Sequence, residues 1–300
     1  MKTPLFVGSG VAIVTPFNED YSIDYPRLKK LIDFQIENGT DSIIICGTTG
    51  EASTQPTEEH IETITQCVKY VNGRVPVIAG TGSNDTLHAV EMSVAAREAG
   101  ADGLLVVTPY YNKTTQTGLI KHMTYIADRA ELPVILYNVP SRTGMSFTVE
   151  TYCELSKHPL INGVKEASGN LAVIASVRQR VGDELYFWSG EDNLIVPVLS
   201  LGGKGVISVL ANIAPKQTSD MCRLYLEGRV RESSDLQIKM TELINALFCE
   251  VNPIPVKAAL KLMGLDSGVL RMPLFEISDS NLMRLKKAMT DAGILSNQNS

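Results

Sequence analysis

Five cysteines are all that the 300 residues contain: Cys46, Cys67, Cys153, Cys222 and Cys249, odd in number, widely spaced and without a Cys-x-x-Cys pair. Such a set excludes a disulfide framework or a zinc knot and favours a reducing compartment. The four histidines, His60, His88, His122 and His158, are equally scattered, so no metal site is expected. A basic surplus is missing as well, with 27 Lys and Arg against 33 Asp and Glu and a net charge of −6. Without a basic stripe, nucleic acid and anionic membrane are poor partners. Small anions stay open, because a local site can be positive within an acidic protein. No apolar run approaches the ~20 residues of a membrane-spanning helix. The first residues, Met1 to Phe17, hold one lysine, an early Pro4 and the glycines Gly8 and Gly10, without the apolar core and cleavage site of a signal peptide. The expected location is the cytoplasm. Also absent is a glycine-rich loop after the first apolar run, where Thr15-Pro16-Phe17-Asn18 stands and cannot cradle a pyrophosphate.

What the chain does have is 44% hydrophobic and 20% charged residues, the composition of a folded protein. Short apolar runs recur at 11–15, 42–46, 76–79, 103–107, 134–138, 161–165, 185–188 and 206–209. Each is too short for a helix, and continuous rather than alternating apolarity, as in Ile43-Ile44-Ile45, marks strands buried on both faces of a parallel sheet. Amphipathic segments separate them. Over 24–38, Leu28, Leu31, Ile32 and Ile36 form one stripe opposite Lys29, Lys30, Asp33 and Glu37, with Asp24 as cap, Pro26 in the first turn and Gly39 as the stop. Gly73 and Gly100 stop the next two helices. Asn38–Ile44, Ala99–Leu105 and, more loosely, Leu201–Ile207 repeat a glycine, a turn and a strand start. Eight strand–helix units in about 225 residues fit a (β/α)8 TIM barrel, typically ~250 residues long, better than a doubly wound sheet. The barrel is expected over 1–227. Residues 228–300 read as a C-terminal helical extension, with helices at 231–250, 255–264 and 278–293 and a polar, frayed tail at 296–300. Met283 and Met289 read as a core stripe. Gly202–Gly205 resembles a phosphate loop, yet it precedes the eighth strand on the face away from a barrel's active site and lacks the required spacing.

Barrel active sites lie on the loops that follow the strands. After the second run comes Gly47-Thr48-Thr49-Gly50-Glu51, after the fourth Thr108-Pro109-Tyr110-Tyr111-Asn112, after the fifth Tyr137-Asn138-Val139-Pro140-Ser141-Arg142-Thr143-Gly144, and the sixth ends in Gly163-Val164-Lys165-Glu166. Hydroxyls, one arginine and one lysine therefore converge on one face. Taken alone, Lys165 is a strand-end lysine reaching for water. Among those hydroxyls, with Glu166 turned away by alternation, it reads as a nucleophile. A free lysine is only ~0.04% neutral at pH 7, and burial with a nearby cation raises that fraction. The Gly47–Glu51 turn suits a small carboxylate, although capping threonines in an ordinary turn look the same. Tyr110, Tyr111 and Tyr137 can pass protons or simply pack. Arg142 can grip a carboxylate or remain a solvated loop residue.

Read in order, Gly47–Glu51, Pro109–Asn112, Tyr137–Gly144, Gly163–Ala167 and Gly202–Val209 resemble the dihydrodipicolinate synthases of the N-acetylneuraminate lyase superfamily. The similarity runs through nearly the whole chain to Asn252–Lys257. The resemblance implies a Schiff base between Lys165 and pyruvate, with Tyr137 moving protons, and Thr48 linking Tyr137 to a Tyr111 supplied by the neighbouring subunit. It implies that Thr49 and the backbone of Ile207 hold the pyruvate carboxylate, and that Arg142 receives the carboxylate of L-aspartate 4-semialdehyde. The implied product serves diaminopimelate and lysine synthesis. The implied assembly is a homotetramer of tight dimers, without metal or organic cofactor. The nearest alternatives are other pyruvate aldolases, such as N-acetylneuraminate lyase or a 2-keto-3-deoxy sugar acid aldolase; the sialic acid lyases resemble this chain at the Lys and Tyr but have Ser-Thr at Thr48-Thr49 and no counterpart of Arg142. Lysine-inhibited relatives line an effector site with positions matching Ala52, Ser53, His60, Asn84, His88 and Tyr110. His88 stands where a glutamate is usual, so lysine is expected to bind weakly.

Overall fold

Each apolar run forms a strand that pairs with its neighbours in chain order. The computed structural model describes residues 2–296, so the tail expected to fray lies, from residue 297 on, outside the described residues. The strands are β1 (Gly8–Ala12), β2 (Ser42–Ile45), β3 (Val77–Gly80), β4 (Gly103–Val107), β5 (Val134–Asn138), β6 (Ile161–Glu166), β7 (Tyr186–Ser189) and β8 (Gly205–Ser208). All neighbours are parallel, and β8 returns to β1 to close the barrel. Helices α1 (Tyr25–Glu37), α2 (Thr57–Val71), α3 (Thr86–Glu98), α4 (Gln116–Ala130), α5 (Pro140–Thr143), α6 (Val149–Leu155), α7 (Leu171–Val181), α8 (Ile195–Ser200) and α9 (Pro215–Leu226) alternate with them. Helix α1 starts as its sequence dictates, with the Asp24 side chain accepting from the Arg27 amide at 2.9 Å and Pro26 in the first turn.

One strand lies elsewhere than its apolar run. β1 begins at Gly8 rather than at Val11, and Ile13–Thr15 has already left it. Gly8, Ser9 and Gly10 carry no apolar signal, but the seam between β1 and β8 requires small residues. A Cβ at Gly205 would collide with the carbonyl of Gly8, and the φ of Gly205 is +148°.

Continuous apolarity follows from two distinct cores. Ile44 faces the barrel interior with Phe6, Ile78, Leu105, Ile135 and Trp188, and its neighbours Ile43 and Ile45 face the helix layer. Adjacent strand residues point to opposite faces, so both faces of every strand must be apolar. Phe6 stacks on Trp188 with ring centroids 5.0 Å apart, filling the interior beneath the site.

Three further helices follow, α10 (Val230–Leu247), α11 (Ile254–Leu262) and α12 (Asp279–Asp291), each starting at or within a residue of its expected position and ending two or three residues early. In α12 the buried stripe is Leu285, Ala288 and Met289, while Met283 is 66% exposed. The core stripe expected to include Met283 therefore needs correction. Positions six apart do not share a helix face, as positions three or four apart do.

The extension is anchored by a buried ion pair. Lys257 Nζ lies 2.8 Å from Glu51 Oε1, and both side chains are fully buried. The ammonium also donates to the Thr15 carbonyl at 3.0 Å and sits 4.2 Å from the centre of the Phe17 ring. The other carboxylate oxygen accepts from the Arg271 amide at 3.0 Å. Lys257→Met leaves a buried carboxylate without its cation and should cost about 3–5 kcal/mol. The Glu51→Leu/Lys257→Met double variant should recover much of that loss, because the unpaired charge goes too. Urea unfolding of the two variants checks this; a double variant no more stable than the single one would mean that shape rather than charge sets the cost.

Candidate active site

Parallel register brings the two central groups together. Tyr137 in β5 pairs directly with Lys165 in β6, so both side chains rise from the strands on the same side. Lys165 Nζ lies 4.4 Å from the centre of the Tyr137 ring. The lysine is 5% exposed, and no carboxylate forms an ion pair with it among the described residues. The next residue, Glu166, turns outward as alternation requires. It is satisfied there by Asn138 Nδ2 at 2.9 and 3.1 Å and by the Tyr152 hydroxyl at 2.8 Å.

Burial lowers the pKa of Lys165 to about 8; Asp192 opposes the fall and the Arg142 guanidinium assists it. At that value roughly a tenth of the amine is neutral at pH 7, against ~0.04% for a free lysine. Burial also raises the Tyr137 phenol, against Arg142 and a hydrogen bond from Thr48, with Glu191 adding to the rise. Tyr137 is therefore protonated at neutral pH and able to give a proton, while its neighbour is partly able to attack a carbonyl.

The turn after β2 is held rigidly. Cys46 and Glu51 flank it with φ of +55° and +53°. The Gly50 carbonyl accepts from the Thr15 hydroxyl at 2.7 Å and from Gln55 Nε2 at 2.9 Å. Thr48 lines a cleft of about 500 Å³ together with Tyr137, Arg142 and Tyr110. Thr49 is 2% exposed and accepts from Asn252 Nδ2 at 3.0 Å. Arg142 is exposed on α5 at the mouth and donates to the Asn252 carbonyl at 3.1 Å. Ile207 is buried in the barrel interior on β8, whose end is secured by Asp192. Asp192 Oδ2 accepts from the amides of Val209 and Leu210 at 3.1 and 2.9 Å.

Two side chains here escaped the reading of the sequence. Asp192 is 2% exposed with a raised pKa, caused mainly by burial. Its signal is its position in the loop after β7, on the same face as the other strand ends. Asn252 follows no strand, and the sequence marks it only as the start of the Asn252–Lys257 stretch, with no role attached. One predicted residue is not brought to the site of its own chain: Tyr111 is 92% exposed and does not line the cleft. Ala52, Ser53, His60, His88 and Tyr110 share the cleft with Thr48, whereas Asn84 lines a neighbouring pocket. Among the described residues no group of three or more His, Cys, Asp or Glu is placed to hold a metal ion.

The chain is also similar to known proteins over nearly its whole length. The model of the dihydrodipicolinate synthetase family matches residues 5–292. A 4-hydroxy-tetrahydrodipicolinate synthase of Thermoanaerobacter sp. (strain X514) is 53% identical over 297 residues, 99% of this chain and 100% of the relative. Another, from Caldicellulosiruptor saccharolyticus, is 54% identical over 291 residues, 97% of this chain and 98% of the relative. A crystal structure of the enzyme from Cyanidioschyzon merolae with lysine bound superposes with a TM-score of 0.95 at 40% identity, covering 98% of this chain and 100% of that one. The chain is an enzyme of the dihydrodipicolinate synthetase family.

Proposed function

We propose that the chain condenses pyruvate with L-aspartate 4-semialdehyde through a Schiff base on Lys165, forming 4-hydroxy-tetrahydrodipicolinate for diaminopimelate and lysine synthesis. The observation that carries this is a buried lysine, free of any ion pair, with its pKa lowered to about 8 beside a protonated tyrosine. The neutral amine adds to the ketone carbon of pyruvate. Tyr137 gives the departing oxygen its proton, and water leaves. The resulting iminium draws electrons from the methyl group, which loses a proton to give an enamine. That carbon bonds to the aldehyde carbon of the second substrate, whose oxygen is protonated. The amino group of the product then adds to the iminium carbon, closing the ring and releasing Lys165. Thr48 and Tyr137 move protons without adding a fixed charge, and the steps need neither metal nor organic cofactor.

Thr49 and the Ile207 backbone are assigned to the pyruvate carboxylate and Arg142 to that of the semialdehyde. Arg142 has no carboxylate partner among the described residues and stands at the mouth, where the second substrate arrives. That free guanidinium favours a carboxylate-bearing aldehyde over the polyols of sialic acid or deoxysugar aldolases. Residues 1–227 are taken as the catalytic barrel and 228–300 as the extension that braces it. The exposure of Tyr111 leaves this phenol accessible to complete the relay of a neighbouring subunit in the proposed homotetramer of tight dimers. Among the described residues no helix is long and apolar enough to cross a membrane; the location proposed for the enzyme is the cytoplasm.

Pyruvate with borohydride should add one reduced pyruvyl group to Lys165, read by mass spectrometry, and Lys165→Arg should abolish it because a guanidinium stays protonated. No adduct, or one on another lysine, would sink the reading. Arg142→Ala should leave the adduct intact and reduce kcat/KM for the semialdehyde by roughly ten- to a hundredfold, the loss of a charged hydrogen bond. Efficient cleavage of N-acetylneuraminate by the wild type, with no use of the semialdehyde, would select the alternative aldolase.

The labelling rate at low pyruvate has its own pH profile. Only the neutral amine attacks, so the rate should climb about tenfold per unit below pH 8 and level off above it. A climb that continues to pH 10 would show that the amine keeps its ordinary pKa.

Free lysine should inhibit weakly. His88 is half-exposed, with Nδ1 3.3 Å from Glu91 Oε2, and an imidazole cannot supply the negative charge an ammonium needs. Burial lowers the pKa of His60, although the bond to the Gly80 carbonyl opposes it, so that ring adds no anion either. His88→Glu should lower the half-inhibiting concentration of L-lysine by roughly ten- to a hundredfold in initial-rate assays. Halving of the wild-type rate by submillimolar lysine would refute the charge argument.

A further inference from the structure

Asn252 lies outside the strands and their loops, yet it touches Thr49 and Arg142, the two side chains assigned to substrate carboxylates. Its Nδ2 donates to Thr49 Oγ1 at 3.0 Å, and its backbone carbonyl accepts from Arg142 Nη2 at 3.1 Å. The residue is 6% exposed, and its Oδ1 is buried without a hydrogen-bond partner.

A threonine hydroxyl has one proton to give and two lone pairs to accept with. Thr49 Oγ1 spends an acceptor site on Asn252, and it donates to no protein group among the described residues. Its proton is thus left for something else. We infer that Asn252 is a positioning residue that sets the direction of the Thr49 hydroxyl, keeping its single proton available for the carboxylate of the first substrate. This rests on the proposed role of Thr49 in holding pyruvate. Arg142 is held by the backbone of Asn252, so side-chain changes there act on the pyruvate pocket and leave the second carboxylate pocket alone.

Asparagine and aspartate have the same shape and opposite hydrogen-bonding sense. An aspartate at 252 can only accept, so it takes the Thr49 proton for itself. An alanine merely releases the hydroxyl, which can still turn toward a ligand. The measurement is the pyruvate concentration that half-saturates borohydride trapping at Lys165, for Asn252→Ala and Asn252→Asp, alone and combined with Thr49→Val. Asn252→Ala should raise that concentration by less than about tenfold, and Asn252→Asp by roughly ten- to a hundredfold. The excess of Asp over Ala should vanish in the Thr49→Val background, and KM for the semialdehyde should stay near the wild-type value in Asn252→Ala. Equal effects of Asp and Ala overturn the inference. An excess that persists without the Thr49 hydroxyl also overturns it, because it then reflects plain charge repulsion. Should Asn252→Asp fail to fold, the Ala and Val variants decide: a combined effect no larger than that of Thr49→Val alone supports positioning through Thr49, and additive effects refute it. Absence of any wild-type adduct would instead overturn the Schiff-base reading itself.

Discussion

A carboxylate sealed from water holds the active-site loops to the C-terminal extension. Glu51 ends the turn after β2, and its two oxygens are taken by Lys257 and by the amide of Arg271. A buried pair of this kind adds little net stability over apolar residues, because the desolvation of two charges offsets their attraction. What it adds is placement. Lys257 also grips the Thr15 carbonyl after β1, and the Arg271 guanidinium lies 4.3 Å from the Phe17 ring centre while pairing with Glu59. One network thus clamps the loops after β1 and β2 to α11 and the segment beyond it. Asn252, immediately ahead of α11, arrives at Thr49 and Arg142 as a consequence.

Lys165 depends on the opposite arrangement, a buried cation deliberately left without a partner. The fall from 10.5 to about 8 corresponds to roughly 3 kcal/mol of preference for the neutral amine. That preference opposes folding at neutral pH. The folded pKa lies below the unfolded one, so the cost is fully present below about pH 8 and relaxes as pH rises toward the unfolded value. The fold could remove it by offering a carboxylate, and Glu166 is adjacent in sequence. Strand alternation sends Glu166 to the outer face, where Asn138 and Tyr152 satisfy it. Asp192 lies nearer, but only its Oδ2 is held by the β8 turn, its Oδ1 has no hydrogen-bond partner among the described residues, and its own pKa is raised by burial. Reactivity is maintained because Glu166 is occupied on the outer face and Asp192, which opposes the fall only in part, forms no ion pair with the amine among the described residues.

This distinction governs what could be read from the residues alone. Strand–helix alternation was legible because a strand buried on both faces must be apolar throughout, and β4 and β5 fall where their runs do. The start of β1 was not, since Gly8, Ser9 and Gly10 were selected by contact with β8 rather than by burial of side chains. Lys165, Tyr137, Thr48 and Arg142 were legible as site candidates because a barrel collects strand ends on one face. Glu51–Lys257 and Thr49–Asn252 were not legible as pairs, because each joins residues about two hundred positions apart that only the closed fold brings together. Met283 shows the reverse limit: an apolar residue off the stripe is simply exposed.

The turn after β2 bears on two functions at once. Thr48 faces Tyr137, and a few residues later Ala52 and Ser53 line the same cleft beside His60 and His88. The turn is short, bounded by left-handed residues and pinned at the Gly50 carbonyl, so displacement at one end is transmitted to the other. A molecule bound near His88 can alter Tyr137 chemistry only if it binds two positions of this turn unequally. The Glu51 anchor restrains that choice, because moving the turn means moving a buried carboxylate away from its cation. Rigidity of the turn and weak charge complementarity at His88 therefore support the same proposal, that a small cationic effector has little hold on the active site.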